Sequence, residues 1–327
     1  MIAVFDRNNN KCITVVIRMY RKLGRRKDME REFEIHSLEE YIKVIHETNN
    51  RLDNLYYRGQ SNKKYELIPS ICHKINKDSE EKYLSIEKNI INEALFKYSN
   101  VFNNYESHIE LLTQLQHYGI PTRLMDVTAN PLVALYFACS SNSDCDGEVF
   151  VFHMPIIETY DTEGIDALAA VGYNCDLYPF PFEKYLDECG IEEKLTPNNH
   201  SSNYDFLFNM SQAPVLVRQK CFFARQKAQS GRYILFINKT KYCSPYNGEE
   251  DSYCFIKEIA AIDKNEECIA NIIKIPYSCK KELLLQLKHV NIDESTLFPE
   301  DIDGGCRMLV RDLGSQYINK TSCQEKS

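Results

Sequence analysis

The amino-acid sequence predicts an α+β protein with a mixed or antiparallel sheet core and surrounding helices. Three observations support this class. Several capped segments have the apolar period of a helix, the strand-like segments are short, and the two kinds do not alternate regularly as in a doubly wound sheet. The 327 residues are 43% hydrophobic and 26% charged, which is typical of a folded chain. A chain of this length forms one large unit or about two domains.

The first 36 residues are predicted to form a β-hairpin extension. Ile13–Ile17 is rich in β-branched residues, and Glu32–Ile35 alternates polar and apolar side chains as a half-buried strand does. The segment from Arg18 to Arg31 between them is strongly basic. We interpret it as a solvated turn, and a patch for an anionic partner is the alternative.

Local capping signals predict three helices in the first half of the chain. Ser37–Glu40 and Ser107–Glu110 both match the capping box, in which the first and last side chains bond each other's backbone amides. Another helix is predicted after Asp78, where apolar side chains recur at helical spacing. Gly119 is predicted to adopt the left-handed conformation that ends a helix.

A strand and a loop are predicted around these helices. Asn54–Arg58 is predicted to be a short strand that stops at Gly59. Thr122–Ala129 is predicted to be a loop. Asn130 followed by Pro131 then forms a favourable helix start.

The segment after Pro131 is predicted to be central in the fold. Leu132–Ala138 is apolar nearly all round, which favours a buried helix, and Glu148–His153 is predicted to be a strand. We predict that residues 156–213 form a capping insertion within a main domain spanning residues 37–310, followed by a flexible tail at 311–327. The later predicted elements are strands at 215–217, Arg232–Ile237, Phe255–Ile262 and Ile272–Ile275, the helix Lys280–His289 and a last helix after Asp301.

Composition limits the functional classes. The N-terminus carries Asp6 where a signal peptide would be apolar, and no run of about 18 apolar residues occurs, so we expect a cytoplasmic protein with no membrane association. The 13 cysteines include no CxxC pair, so reduced thiols are expected, and neither a metal site nor a disulfide framework is predicted. A net charge of −8 argues against nucleic-acid binding.

Two motifs carry groups suited to chemistry. In Tyr57–Gln60 an arginine stands beside Gly59, and its rigid fork suits a phosphate or carboxylate, although a solvated arginine is the ordinary alternative. Gln114–Thr128 concentrates polar side chains before an apolar helix. Such groups are either hydrogen-bonded or functional. A structural Arg123–Asp126 pair that pins the loop is the alternative to a functional site.

The motifs resemble the FRG domain family, which is named after a (Phe/Tyr)-Arg-Gly motif. Tyr57–Gln60, Leu67–Ser70 and Gln116–Ala138 resemble the family pattern, whose centre is close to QHxGxPTRLLDWTxNPLxALYFA. Val127 replaces the tryptophan of that pattern. Later blocks at 225–233 and 295–304 extend the resemblance to about residues 38–305.

A more distant resemblance links the Tyr-Arg-Gly strand to ADP-ribosyltransferases of the arginine–serine–glutamate type. It implies a similar fold and NAD as a substrate, without a further cofactor, with Arg58 holding phosphate. Neutral Gln229 stands where the resemblance implies an acidic residue, so Asp126 is the candidate for that charge. The candidate catalytic residues are Asp126, His117 and Gln229, and the candidate ligand-binding residues are Arg58, Gly59, Gln60, Thr122, Arg123, Thr128 and Gln226.

Two further hypotheses stay open at this point. The same polar cluster suits a non-catalytic module that binds a small ligand or a protein partner. A toxin or phage-defence effector is a biological role compatible with either chemistry.

Overall fold

The computed structural model describes residues 31–78, 80–154, 157–158, 163–175, 177–191, 207–208, 211–220, 223–243 and 252–299. Within these ranges helices surround a mixed sheet, which confirms the predicted α+β class. The strand predicted at Ile13–Ile17, the basic segment before Arg31, the helix predicted after Asp301 and the predicted tail lie outside the described residues.

The strands are short, as the sequence predicts. They are β1 (Glu32–Glu34), β2 (Leu55–Gln60), β3 (Leu124–Thr128), β4 (Gly147–His153), β5 (Ile157–Glu158), β6 (Phe180–Pro181), β7 (Val215–Arg218), β8 (Gly231–Leu235), β9 (Thr240–Cys243), β10 (Ser252–Phe255) and β11 (Ile269–Ile275).

The α-helices lie between these strands without a regular alternation. They are α1 (Leu38–Asn49), α2 (Glu87–Lys97), α3 (Ser99–Phe102), α4 (His108–His117), α5 (Pro131–Cys139), α6 (Glu163–Asn174), α7 (Phe182–Glu188), α8 (Ala224–Ala228), α9 (Lys280–His289) and α10 (Glu294–Leu297). A 3₁₀ turn at Tyr83–Ile86 leads into α2.

The larger sheet contains eight described strands in the order β1-β11-β4-β2-β3-β8-β7-β5. Its outer pairs, β1 with β11 and β5 with β7, are parallel, and the inner pairs are antiparallel. Strands β6, β10 and β9 form a second, three-stranded sheet. The first half of the chain therefore supplies the centre of the larger sheet, where β2 and β3 are neighbours.

Side-chain caps fix the helix starts. The Ser37 hydroxyl accepts the amide of Glu40, and the carboxylate of Glu40 accepts the amide of His36 at 2.7 Å. The Ser107 helix repeats this arrangement. The predicted capping boxes are thus present with one change, because each carboxylate bonds the amide one residue before the cap. Asn130 caps α5 by accepting the amide of Leu132 at 3.0 Å, as predicted.

Two helical groups cover the same face of the larger sheet. Helices α1, α5 and α9 pack over β2, β4 and β11, whereas α2, α4 and α6 pack over β3, β8 and β7. The register places Tyr57 opposite both Val151 and Thr128, so these side chains share that face. A third apolar cluster, which includes Phe150 and Ile234, covers the opposite face. Asp126 and Thr128 therefore lie on the sheet between the two helical groups.

Three predicted elements in the first half of the chain differ from the structure. The predicted loop Thr122–Ala129 is wrong, because its centre is strand β3, which pairs with β8 along its length. Strand β2 does not stop at Gly59 but continues to Gln60. The helix predicted after Asp78 begins later, at Glu87.

In the second half of the chain one predicted strand is mostly absent and one predicted helix is present. Of the segment predicted as strand Phe255–Ile262, only its start belongs to a strand, β10, and Ile262 makes an isolated bridge to Leu67. The helix predicted at Lys280–His289 is confirmed. The described part of residues 156–213 contributes α6, which packs in the same apolar cluster as α2 and α4.

Candidate functional site

A cleft of about 290 Å³ opens between the two helical groups, where β2, β3 and β8 meet the ends of α4, α5 and α8. We refer to it as the central cleft. Three remote parts of the chain line it: residues 57–59, residues 116–137 and residues 223–233. The candidate site residues on its wall are Arg58, Gly59, His117, Asp126, Thr128, Gln226 and Gln229.

Gly59 allows the buried helix α5 to lie directly on strand β2. A Cβ atom added at Gly59 would lie 1.8 Å from the carbonyl oxygen of Ala134 and 2.7 Å from the amide nitrogen of Ala138. Both are backbone atoms, so a side chain here would push the whole helix away. Gly59 is a candidate ligand-binding residue by sequence, and in the structure its missing side chain permits the close approach of helix and strand.

Arg58 connects β2 to β3 where the two strands separate. They share the registered pair Tyr57–Thr128, and past it the ladder between them ends. The guanidinium spans the gap, since its Nη1 donates to the carbonyl oxygen of Asp126 at 2.6 Å. Its Nε is buried and has no hydrogen-bond partner within the described residues. Burial lowers the pKa of Arg58 from its usual value, and the nearby Asp126 carboxylate partly opposes this shift. The guanidinium nevertheless stays charged at neutral pH, as arginine does in proteins.

Asp126 supplies a negative charge at the cleft. It occupies the middle of β3 opposite Tyr233 of β8, and its side chain is exposed while its neighbours Met125 and Val127 are buried on the other face. Within the described part of the cleft wall it is the sole carboxylate. The strand therefore presents this carboxylate to whatever occupies the cleft.

Thr128 and Gln229 tie the end of β3 to the start of β8. The Thr128 hydroxyl donates to the Gln229 carbonyl at 2.6 Å and accepts the amide of Asn130 at 2.9 Å. The Gln229 side chain donates through Nε2 to the carbonyl of Leu297 at 3.0 Å. Ser230, next in the chain, adopts a φ of 49°, which completes this tight junction. Thr128 thus has a structural contact inside the cleft wall.

Aromatic rings form the wall opposite the strands. His117, at the end of α4, stacks on Phe223, at the start of α8, with ring centroids 3.6 Å apart and planes 8° apart. Phe137 of α5 packs edge-on against Phe298. The guanidinium of Arg225 lies 4.7 Å from the same Phe298 ring, a cation–π distance. The cleft therefore combines flat apolar surfaces with charged groups.

Arg123, a candidate ligand-binding residue, lies outside the cleft, and the structural pair with Asp126 that was the alternative is not formed. Its side chain is fully buried and makes a two-bond ion pair with Glu87 of α2, at 2.9 Å from Nε and 2.6 Å from Nη2. Nη1 donates to Asn238 at 3.0 Å. Burial acts to lower the pKa of Arg123, but the Glu87 carboxylate raises it above its usual value. A buried guanidinium needs a buried carboxylate, whereas Asp126 is exposed.

Two other predicted ligand-binding residues also lie outside the cleft. Thr122 is buried, and its hydroxyl bonds the Gln116 side chain and accepts the amide of Leu124. Gln60 is buried at the end of β2 and donates to the carbonyl of Glu66 at 3.1 Å. Both side chains therefore make structural contacts in this arrangement.

Several residues that line the cleft are not among the predicted site residues, and most of them lie in the segment around α8. Phe223, Arg225 and Tyr233 line the cleft, as does Phe137 of α5. One signal was available in the sequence: residues 206–248 contain no Asp or Glu in a chain of net charge −8. The basic residues of that stretch are Arg218, Lys220, Arg225, Lys227, Arg232, Lys239 and Lys241.

The described residues offer no cluster of three His, Cys, Asp or Glu side chains suited to a metal ion. Among the described helices, none has the length and apolar character needed to cross a membrane.

A comparison with protein-family models matches residues 53–147 to the FRG domain. The chain is therefore similar to an FRG domain over this range, which includes β2, β3, α5 and their cleft residues. The wall from Phe223 to Tyr233 lies outside it. Neither the curated proteins nor the solved structures contain a match to the chain.

Proposed function

We propose that this FRG domain protein binds a nucleotide-type substrate, NAD, in the central cleft and transfers or hydrolyses its ADP-ribose. The observation that supports the proposal most is the meeting of Arg58, Asp126 and Gln229 from remote segments in one cleft. A cation, a carboxylate and an amide are the groups that recognise a phosphate, a developing positive charge and a sugar hydroxyl.

The electrostatics favour an anionic ligand. Arg58 and Arg225 both line the cleft, against the single carboxylate of Asp126 within the described wall. The buried Nε of Arg58 has no hydrogen-bond partner among the described residues, so the guanidinium keeps donor capacity beyond its bond to the Asp126 carbonyl. We assign the pyrophosphate to Arg58.

The proposed reaction breaks the bond between C1′ of the nicotinamide ribose and the ring nitrogen of nicotinamide. The electron pair of that bond leaves with nicotinamide, and Asp126 stabilises the positive charge that develops on the ribose. Gln229, held by Leu297, accepts a hydrogen bond from a ribose hydroxyl through its amide oxygen. A water or acceptor hydroxyl forms the new bond to C1′, and its proton passes to His117, the candidate proton acceptor.

The test is the release of nicotinamide from NAD by the purified protein, with and without cell extract as a source of acceptors. Loss of a preorganised charge typically lowers a rate by about 10²–10³-fold, so we expect a decrease of about 100-fold in Asp126→Asn. Asp187→Asn is the matched control, because Asp187 is an exposed aspartate of α7 outside the cleft. Equal release by both variants would contradict the role of Asp126.

A non-catalytic ligand-binding or protein-interaction module is the second candidate. It is favoured by Gln229, a neutral side chain whose amide is already bonded to Leu297, and by the absence of a glutamate from the described cleft wall. NAD binding without nicotinamide release under any condition would support a ligand-binding module over the enzyme.

A role as a toxin or phage-defence effector would follow from consumption of a cellular nucleotide. Expression of the wild-type chain in bacteria would then arrest growth, and Arg58→Ala would restore growth at equal protein level. Growth that is unaffected by the wild-type chain would argue against this role.

A further inference from the structure

We infer that the stacked rings of His117 and Phe223 form a platform for the planar base of the nucleotide. This inference rests on the proposed function and specifies which part of the ligand the aromatic wall recognises. Both rings line the central cleft and are partly buried. A planar heteroaromatic ring added to such a stack gains contact area without displacing either side chain.

Edge contacts hold the platform in one orientation. The Tyr118 ring stands at 81° to His117 and at 87° to Phe223, with centroids 5.1 Å and 6.3 Å away. Phe102 supports Tyr118 in turn, at 5.6 Å and 85°. The two stacked rings come from different helices, α4 and α8, so their parallel arrangement is a product of the tertiary structure. A rigid flat surface costs a ligand little ordering free energy.

Neighbouring polar groups suit the rest of a nucleotide. Gln226 is buried and lines the same cleft, and a side-chain amide can both donate to and accept from the edge of a base. Arg58 and Asp126 lie on the strand side of the cleft, where the phosphate and ribose are assigned. The wall around His117 and Phe223 is therefore left for the base.

Binding measurements with three probes distinguish recognition of the base from recognition of the ribose and phosphate. AMP and nicotinamide mononucleotide each carry a base, whereas ribose 5-phosphate has none. Stacking of a base on an aromatic side chain typically raises affinity by about 5- to 150-fold. We expect Phe223→Leu to weaken binding of at least one nucleotide by about 10-fold and to leave ribose 5-phosphate unchanged. Tyr253→Leu, which removes a ring outside the cleft, is the control.

A second variant reports stacking directly. The chain contains no tryptophan, so Phe223→Trp introduces a single indole fluorophore into the platform. We expect saturable quenching by the nucleotide and none by ribose 5-phosphate. Nucleotide affinity that is equal in wild type and Phe223→Leu, with no quenching of Phe223→Trp, would overturn the platform while the phosphate assignment stands. Failure of all three probes to bind the wild-type protein would overturn the proposed function and the platform together.

Discussion

At Gly59 the lack of a side chain decides how closely α5 approaches the sheet, and α5 carries one wall of the central cleft. Arg58, one position earlier, uses its guanidinium to hold β3 where the backbone ladder ends. Arg123 carries the same guanidinium group in the protein interior, where its Nε and Nη2 both donate to the Glu87 carboxylate. The two arginines show that residue type alone does not predict a ligand contact. Whether an arginine can bind a ligand depends on how deeply its side chain is buried and on which groups it already bonds.

Gly59→Ala should destabilise the protein strongly. The new methyl group would overlap backbone atoms of α5, and overpacking of this kind costs about 1–3 kcal/mol or more. Gly231→Ala is the matched control within the cleft wall, because its nearest neighbour would be a flexible Gln226 carbon at 3.3 Å. Urea unfolding should show the larger loss for Gly59→Ala. Equal free energies of unfolding for the two variants would contradict the tight packing of α5 on β2.

The buried Arg123–Glu87 pair should behave as a structural unit. Removal of one partner from a buried pair costs about 3–5 kcal/mol, because the other charge is left uncompensated. Arg123→Met and Glu87→Leu are each expected to be strongly destabilising, and the double variant should recover most of the loss in a double-mutant cycle. Additive losses in denaturant unfolding would show that the two side chains do not interact.

At the scale of elements, local signals predict helices better than strands. Ser37, Ser107 and Asn130 each cap a helix where the sequence places the cap, because a cap depends on its own few residues. The sequence predicts a loop in place of strand β3, because the segment carries polar residues such as Asp126 and Thr128 and follows Pro121. Strand β3 forms because it pairs with β8, which lies about 100 residues later in the chain. Its polar side chains face the central cleft, and no local sequence pattern predicts a cleft that remote segments form together.

The short helix α10 should respond to acid, and its neighbours touch the cleft. Burial acts to raise the pKa of Asp293, but hydrogen bonds from Ser295 and Thr296 lower it below its usual value. A carboxyl whose folded pKa is lowered stabilises the protein above its unfolded pKa, and this stabilisation is lost as pH falls through the folded pKa. Because Phe298 contacts Arg225 and Phe137, loosening of α10 would loosen that wall.

The measurement is the free energy of unfolding of the wild type and of Asp293→Ala between pH 7 and pH 3. Loss of a helix cap costs about 1 kcal/mol, so the wild type should be more stable by this amount at pH 7. This difference in the free energy of unfolding should become smaller as the pH falls below the usual pKa of an aspartate. A difference that stays constant with pH would argue against a carboxylate cap.

For the molecule as a whole, the central cleft exists because two helical groups cover one face of a single sheet and leave Asp126 of β3 exposed between them. The sequence identified the motif segments that meet there, Tyr57–Gln60 and Gln116–Thr128, but not the wall around Phe223, which lies about 100 residues away and outside the FRG match. The two parts of the cleft also differ in charge. The wall around Phe223 comes from residues 206–248, which contain no Asp or Glu, whereas the motif segment supplies the carboxylate of Asp126.

Arg225→Gln should therefore weaken binding of anionic ligands. Arg225 lines the cleft, whereas the neighbouring Lys227 is exposed outside it and offers a control of equal charge. Loss of one exposed charge contact is expected to lower pyrophosphate affinity by a few-fold, with a smaller effect at high salt. Equal weakening by Lys227→Gln would indicate a general field effect rather than a contact in the cleft.

The most direct test of the central claim is calorimetric titration of NAD into the wild-type protein and into Arg58→Ala, with folding of both checked by circular dichroism. The account predicts saturable binding of NAD by the wild type and at least 10-fold weaker binding by the variant, since a charge-assisted hydrogen bond contributes about 1.5–3 kcal/mol. Absence of NAD binding by the folded wild-type protein, or equal affinity in both proteins, would contradict it.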